Sequence, residues 1–348
     1  MKRLLIAIVI LALSFGNYAS TSEAQTTTLN IGWVVENQDY LSSSWNVMID
    51  EEFNRLKSIY DIKVTVYQSE GDPNYIELVE NAAEENAVVV SQSFLMADAI
   101  GTVAMDYPTV KFLSIDSIPL NHESCDENHE NCVIPDNVLA YTFKEHEGSF
   151  IAGIAAGLTT NTNSAGFVGG LEFDHIKRFE VGYTAGVLTS NNKATIAIDY
   201  AESFNDIYRG FYYAVKQIEL EAVDVIYHAS GDSGNGVIEA ADVLETWAIG
   251  VDIDQSYLSP EHVLCSMRKR IDRALNIGII SILNENFTSG NIQLGLAEGA
   301  LDISDFAGNL KNSTQTKLLN YTKQIIDGKI SVPSTPEALE VYLDGLKK

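Results

Sequence analysis

The sequence predicts an α/β fold made of two doubly wound lobes, and three observations carry that expectation. Strand-like and helix-like segments alternate from Leu29 onward, which argues for parallel sheets with helices on both faces. At 348 residues the chain is long for one core and suits two lobes of about 150 residues each. Apolar residues make up 46% and aromatics 9%, a globular composition that can fill two interiors.

The elements follow in order. LNIGWVV is a short β-branched run and reads as a strand. SSWNVMIDEEFNRLKSIY carries Trp45, Met48, Ile49, Phe53, Leu56 and Ile59 at helical spacing. IKVTVYQ alternates as a strand, and PNYIELVENAAEEN reads as a helix with Pro in its first turn. AVVVSQS, FLMADAIGTVAMDY and TVKFLSID repeat the strand–helix–strand theme. The polar stretch 119–137 reads as a surface insertion between the halves. EHEGSFIAGIAAGLTTN then predicts a helix whose small residues permit close packing, followed by the strand AGFVGG and the helix HIKRFEVGYTAGVLTS. ATIAIDYA, DIYRGFYYAVKQIE, AVDVIYHAS, NGVIEAADVLE and WAIGVDID continue the alternation. A last strand-like segment, NIQLGLAEGALDI, and the helix STQTKLLNYTKQIID are expected to complete the second lobe.

The amino terminus reads as an export signal over residues 1–24. Met1-Lys2-Arg3 is basic, Leu4 to Leu13 is unbroken apolar chain, and Ser22 and Ala24 are small residues at cleavage-site spacing. Ten apolar residues fall short of the roughly 20 that span a bilayer, so a mature chain without a transmembrane segment is expected; an uncleaved anchor is the alternative. The formal charge of −26, from 48 acidic and 22 basic residues, argues against nucleic acid or anionic lipid as partner. Cys125 and Cys132 lie in the hydrophilic stretch NHESCDENHENC. In an exported chain this reads as a local disulfide, with a metal site beside His122 and His129 as the alternative. Cys265, in VLCSM, is expected to be a buried free thiol.

Ligands of open α/β sheets bind at the carboxyl ends of strands. Glu36, Asp116 and Asp252 end strand-like runs, and Phe204 follows TIAIDYA, so these four are candidates to face one cleft. Each aspartate has a plainer reading as a helix cap. GDSGNG precedes a helix but lacks the Gly-Lys-Ser/Thr ending of a phosphate loop, and His146 has no G-x-S-x-G nucleophile beside it.

Seven segments occur in order: KEHEGSFIAGIAAGL, GFVGG, FEVGYTAGV, SFND, GDSGNGVIEAA, WAIGVDIDQS and VLCSMRKRID. Together they resemble the basic membrane protein family, solute-binding proteins that deliver nucleosides to ABC importers. The resemblance runs from about Leu29 to about Phe306. It implies a type I periplasmic-binding fold whose chain crosses between lobes three times, with lobe 1 formed by 28–143 and 256–290 and lobe 2 by 144–255 and 291–348. It also implies a purine nucleoside as ligand, an ABC permease as partner, a place in the periplasm or on the outer face of the membrane, and no cofactor or catalysis; a ligand-binding sensor of the same fold, or a binder of another ribose- or sugar-like solute, is the alternative. The family's lipid-bearing cysteine is not expected, because no Cys precedes Cys125.

The resemblance also assigns residues. Glu36 stands where the family reads the base with Asp, with Asn37 beside it. Trp45 stands at a stacking aromatic, and Phe204 at a second. Asp252 and Lys269 match the ribose-binding acid and base, and Gly231 and Ser233 lie in a turn close to the sugar. Lys144-Glu-His-Glu-Gly reads as a structural bridge between lobes. The stretch after Glu36 lacks the family's Gly-Gly turn, and Glu in place of Asp adds a methylene. Plainer readings are core positions for Trp45 and Phe204, and an ion pair between Asp252 and Lys269.

Overall fold

The computed structural model describes residues 28–35, 44–68, 74–92, 94–125, 131–305 and 307–347. The export segment 1–24, Glu36 and Asn37 lie outside the described residues. The first half runs β1 (Leu29–Val35), α1 (Ser44–Lys57), β2 (Ile62–Gln68), α2 (Tyr75–Glu85), β3 (Val88–Ser91), α3 (Ala97–Asp106), β4 (Lys111–Ile115) and β5 (Val138–Phe143). The second half runs α4 (Glu145–Thr159), β6 (Ser164–Gly169), α5 (Asp174–Ser190), β7 (Thr195–Tyr200), α6 (Ile207–Glu221), β8 (Val225–Ala229), α7 (Ser233–Val243), β9 (Trp247–Asp252) and β10 (Val263–Lys269). The chain then returns through α8 (Ile271–Leu283) and β11 (Gly290–Leu294), and ends with β12 (Leu301–Ser304), α9 (Asn312–Ile326) and α10 (Pro336–Leu346).

Each half is built on a six-stranded sheet. The orders are β2-β1-β3-β4-β5-β11 and β7-β6-β8-β9-β10-β12, so the two halves repeat one plan. The first sheet is parallel throughout. In the second only β12 runs antiparallel, against β10. The inner strands β3, β6 and β8 are buried along their whole length, as expected where helices cover both faces.

The chain passes between the sheets three times: after β5, after β10 and after β11. Main-chain hydrogen bonds tie these passages together, Lys144 N to Leu294 O at 2.8 Å and Arg270 N to Ala300 O at 2.9 Å. The positions of two passages differ from expectation. Residues 263–269 were expected in the first lobe but form β10 of the second sheet, where an apolar run buried on both faces pairs in parallel with β9. NIQLGLAEGALDI is not one strand. Its first part pairs with β5 in the first sheet and its last with β10 in the second, with Gly299 at φ +66 in the turn between.

Helix α4 is apolar almost all round and accordingly buried, between α5, α9, β10 and β12. It approaches α5 closely enough that a Cβ at Gly186 would lie 2.0 Å from the Phe150 carbonyl oxygen. Cys125 and Cys132 form a disulfide, with their Cα atoms 4.1 Å apart. Asn121 and Val133 pair just outside it, Asn121 N donating to Val133 O at 2.9 Å. With their sulfurs bonded to each other, these cysteines offer no thiolate for a metal. Cys265 is a free thiol, 2% exposed, and burial pushes its pKa up.

Candidate functional site

The carboxyl ends of β3, β4, β8, β9 and β10 meet around a cleft of about 220 Å³ between the two sheets. It is lined by Trp45, Gln92 and Asp116 from the first half and by His175, Phe179, Phe204, Gly231 and Asp252, among others, from the second, with Lys269 at the crossing. Trp45, Asp116, Phe204, Gly231, Asp252 and Lys269 are therefore brought together. Ser233 is not among the lining residues. It is fully buried behind Phe204, where its hydroxyl donates to Ser203 O at 3.0 Å and accepts from Asp206 N at 2.9 Å. Its own N–H donates to the Phe204 carbonyl at 3.2 Å, so Ser233 clamps the loop that carries the ring.

Each aromatic is fixed from behind. Trp45 stands in the first turn of α1, and its indole N–H donates to the Gln92 carbonyl at 3.1 Å. The Gln92 side chain is itself buried, accepting from the Trp33 indole at 2.8 Å and donating to Asn46 Oδ1. Phe204 lies against two glycines. A Cβ at Gly170 would sit 2.3 Å from its ring, and Gly231 turns at φ +56 beneath its carbonyl. Any other residue at Gly170 would force the ring away.

Two aspartates end the equivalent strands β4 and β9, and both adopt left-handed backbone, Asp116 at φ 69 and Asp252 at φ 66. Aspartate tolerates that region better than most side chains because it can bond locally. Neither residue caps a helix: Asp116 leads into an irregular segment, as does Asp252. Asp252 opens to the cleft but is ringed by protein. Burial, opposed by the Lys269 charge and reinforced by Asp116 and Glu145, pushes its carboxyl up to about 6.

Lys269, at the end of β10, is only 2% exposed. Its Nζ lies 2.6 Å from Asp116 Oδ1 and 3.3 Å from Glu145 Oε1. These carboxylates are its ion-pair partners among the described residues; Asp252 is not paired with it. The ammonium also sits over the rings of Phe143 at 5.0 Å, Trp45 at 5.7 Å and Phe179 at 5.9 Å. Burial alone would lower its pKa, but Asp116, Glu145 and Asp252 together raise it, so the group stays charged. Asp116, Glu145 and His175 are close enough to share a metal ion. The ammonium already provides the positive charge between the two carboxylates.

Sequence reasoning missed Gln92, His175, Phe179 and the buried Glu145. Gln92 could have been found as the polar residue ending the strand AVVVSQ, by the same rule that found Asp116. His175 and Phe179 stand on the first turns of a helix, where no single-residue signal separates them from core.

A family description, "ABC transporter substrate-binding protein PnrA-like", matches residues 34–336. "Basic membrane protein A" of Borreliella burgdorferi is 30% identical over 345 residues, covering 98% of this chain and 96% of that protein. "Basic membrane protein A2" of Borrelia garinii is 27% identical over 348 residues, 99% of each. Among solved structures, an ABC transporter solute-binding protein of Aeropyrum pernix K1 superposes with a TM-score of 0.72 at 22% identity, over 92% of this chain and 97% of that one. At that identity it speaks for the fold, a type I solute-binding fold. The family description and the superposed structure name substrate- or solute-binding proteins and not enzymes. Among the described residues no helix is long and apolar enough to cross a membrane. With the family description spanning both sheets and all three crossings, the chain belongs to the PnrA-like substrate-binding proteins of ABC transporters.

Proposed function

We propose that this protein captures a purine nucleoside between its lobes and presents it to the permease of an ABC importer outside the cytoplasm. The observation that carries the reading is the pairing of Trp45 and Phe204, aromatics from opposite halves lining one narrow cleft beside Asp252 and Lys269. Two flat side chains can sandwich a base, while a carboxylate can accept from vicinal hydroxyls and an ammonium can donate to a sugar oxygen. Closure follows from geometry: contacts from both halves exist together only when the halves approach, so ligand favours the closed arrangement by its extra affinity for it. Glu36 is proposed to read the base edge, with Asn37 beside it.

Calorimetry with adenosine, inosine and guanosine tests the reading. Trp45→Ala and Phe204→Ala should each weaken binding by about 1–3 kcal/mol, the range for base–aromatic stacking. Unchanged affinity in both variants would remove the sandwich, and binding of free sugars but not nucleosides would replace the ligand class. Acidity supplies an independent check. If ionised Asp252 accepts from the ribose, affinity should hold above pH 6. It should fall by up to about tenfold per unit below the carboxyl's value of about 6, because the protonated form has lost an acceptor. A flat profile between pH 7 and pH 5 would take Asp252 off the hydroxyls.

A further inference from the structure

We infer that Glu145 is the positioning residue that holds Lys269 in the cleft, so that Asp116 is free to turn to a ligand. The inference rests on the proposed cleft function and concerns a residue outside the lining. Glu145 is the first residue of α4, directly after the first crossing, and is fully buried. Lys269 is the last residue of β10, directly before the second crossing. The carboxylate thus meets the ammonium where two of the three passages between lobes run side by side, Glu145 Oε1 to Lys269 Nζ at 3.3 Å.

Glu145 is held by more than Lys269. Its Oε2 lies 3.1 Å from Arg178 Nε. Arg178 Nη2 in turn donates to His175 Nδ1 at 2.9 Å. A guanidinium has donors only, so this nitrogen accepts and the imidazole proton of the neutral ring sits on Nε2. The start of α4 adds the partial positive charge of a helix amino terminus beside the carboxylate. Lys269 and Arg178 thus stand as cations on either side of this buried carboxylate.

The two partners of Lys269 differ in access. Asp116 opens to the cleft, with 20% of its side chain exposed, whereas Glu145 has none. A polar ligand can therefore compete for Asp116 but not for Glu145. Were Asp116 the sole counter-charge, a ligand that engaged it would leave a bare ammonium buried among Phe143, Trp45 and Phe179, and the desolvation cost would fall on binding. With Glu145 behind it, the ammonium stays neutralised while Asp116 changes partner.

Charge and shape separate the inference from a packing role. Glu145→Gln keeps the shape and removes the charge; Glu145→Asp keeps the charge and shortens the side chain. Calorimetric titration of inosine into the full chain should show Kd rising roughly ten- to hundredfold in the Gln variant and less than about fivefold in the Asp variant. The reverse order would mark Glu145 as a packing residue and overturn the inference. Lys269→Met adds a second measure. Because Glu145 acts through Lys269, Glu145→Gln should cost no further affinity in the Lys269→Met background, and losses that multiply would also overturn it. Failure of wild-type protein to bind any nucleoside would sink the proposed ligand. The same two comparisons, made with whatever solute is released from purified protein, would still decide the role of Glu145.

Discussion

Lys269→Met should leave the protein about 3–5 kcal/mol less stable at pH 7, the cost of removing one partner from a buried charge cluster. In the variant Asp116, Glu145 and Asp252 lose the cation that lies between Asp116 and Glu145. The direction with pH follows from linkage. Carboxylates without that counter-charge hold protons more tightly in the folded state than in the unfolded chain. The deficit should therefore be largest at pH 7 and shrink toward pH 5 as they protonate. In the wild type the lysine itself works the other way round. Its folded-state pKa is raised, so its contribution is present below the ordinary lysine value and is lost as pH rises through the raised one. Urea unfolding at pH 5 and pH 7 measures the deficit and its direction, and a further series in alkali, above the ordinary lysine value, measures the loss of the lysine's own contribution. A deficit under about 1 kcal/mol, or one that grows on acidification, would contradict a buried cluster held by Lys269.

Gly186→Val should be nearly as costly, for a steric reason. The added Cβ would lie 2.0 Å from the Phe150 carbonyl oxygen, and on the facing helix a Cβ at Gly153 would lie 2.2 Å from the Tyr183 carbonyl oxygen. Backbone carbonyls of buried helices cannot swing aside as a side-chain tip can, so α4 and α5 must separate. Overpacking of a tight core costs about 1–3 kcal/mol, and backbone contact on both sides places this site at the upper end. Separation also moves the start of α5, which carries His175 and Phe179 into the cleft, so ligand affinity should fall together with stability. Gly345→Ala is the control. It lies on α10 with open space around it, and should be neutral or stabilising by up to about 1 kcal/mol. Equal thermal midpoints for the two variants would contradict close α4–α5 packing.

The small-residue pattern of α4 was legible in the sequence because Gly and Ala at helical spacing leave few other uses for a helix. Alternation likewise announced parallel sheets, since strands buried on both faces are written as continuous apolar runs. The positions of the two later crossings were not legible. VLCSMRK looks the same whether it leaves a lobe or finishes one, and the difference lies in which neighbour it pairs with, β9, a long-range fact. The cleft divided in the same way. Residues that end strands declared themselves: Asp116, Asp252 and, in principle, Gln92. Glu145 did not, because a glutamate in the first turn of a helix is ordinary, and only the arrival of Lys269 and Arg178 from elsewhere in the chain gives it a task.

The triple crossing has a consequence for how the chain is made. The outer edge of β5 pairs with β11, which is synthesised about 150 residues later. At translation speeds of about 5–20 residues per second, the amino-terminal sheet waits roughly 8–30 s for its last strand after its first five have left the ribosome. Neither lobe is a contiguous stretch that can finish folding while the other is still being made. Until β11 arrives, the nascent chain carries the rim of β5 as an unpaired strand edge.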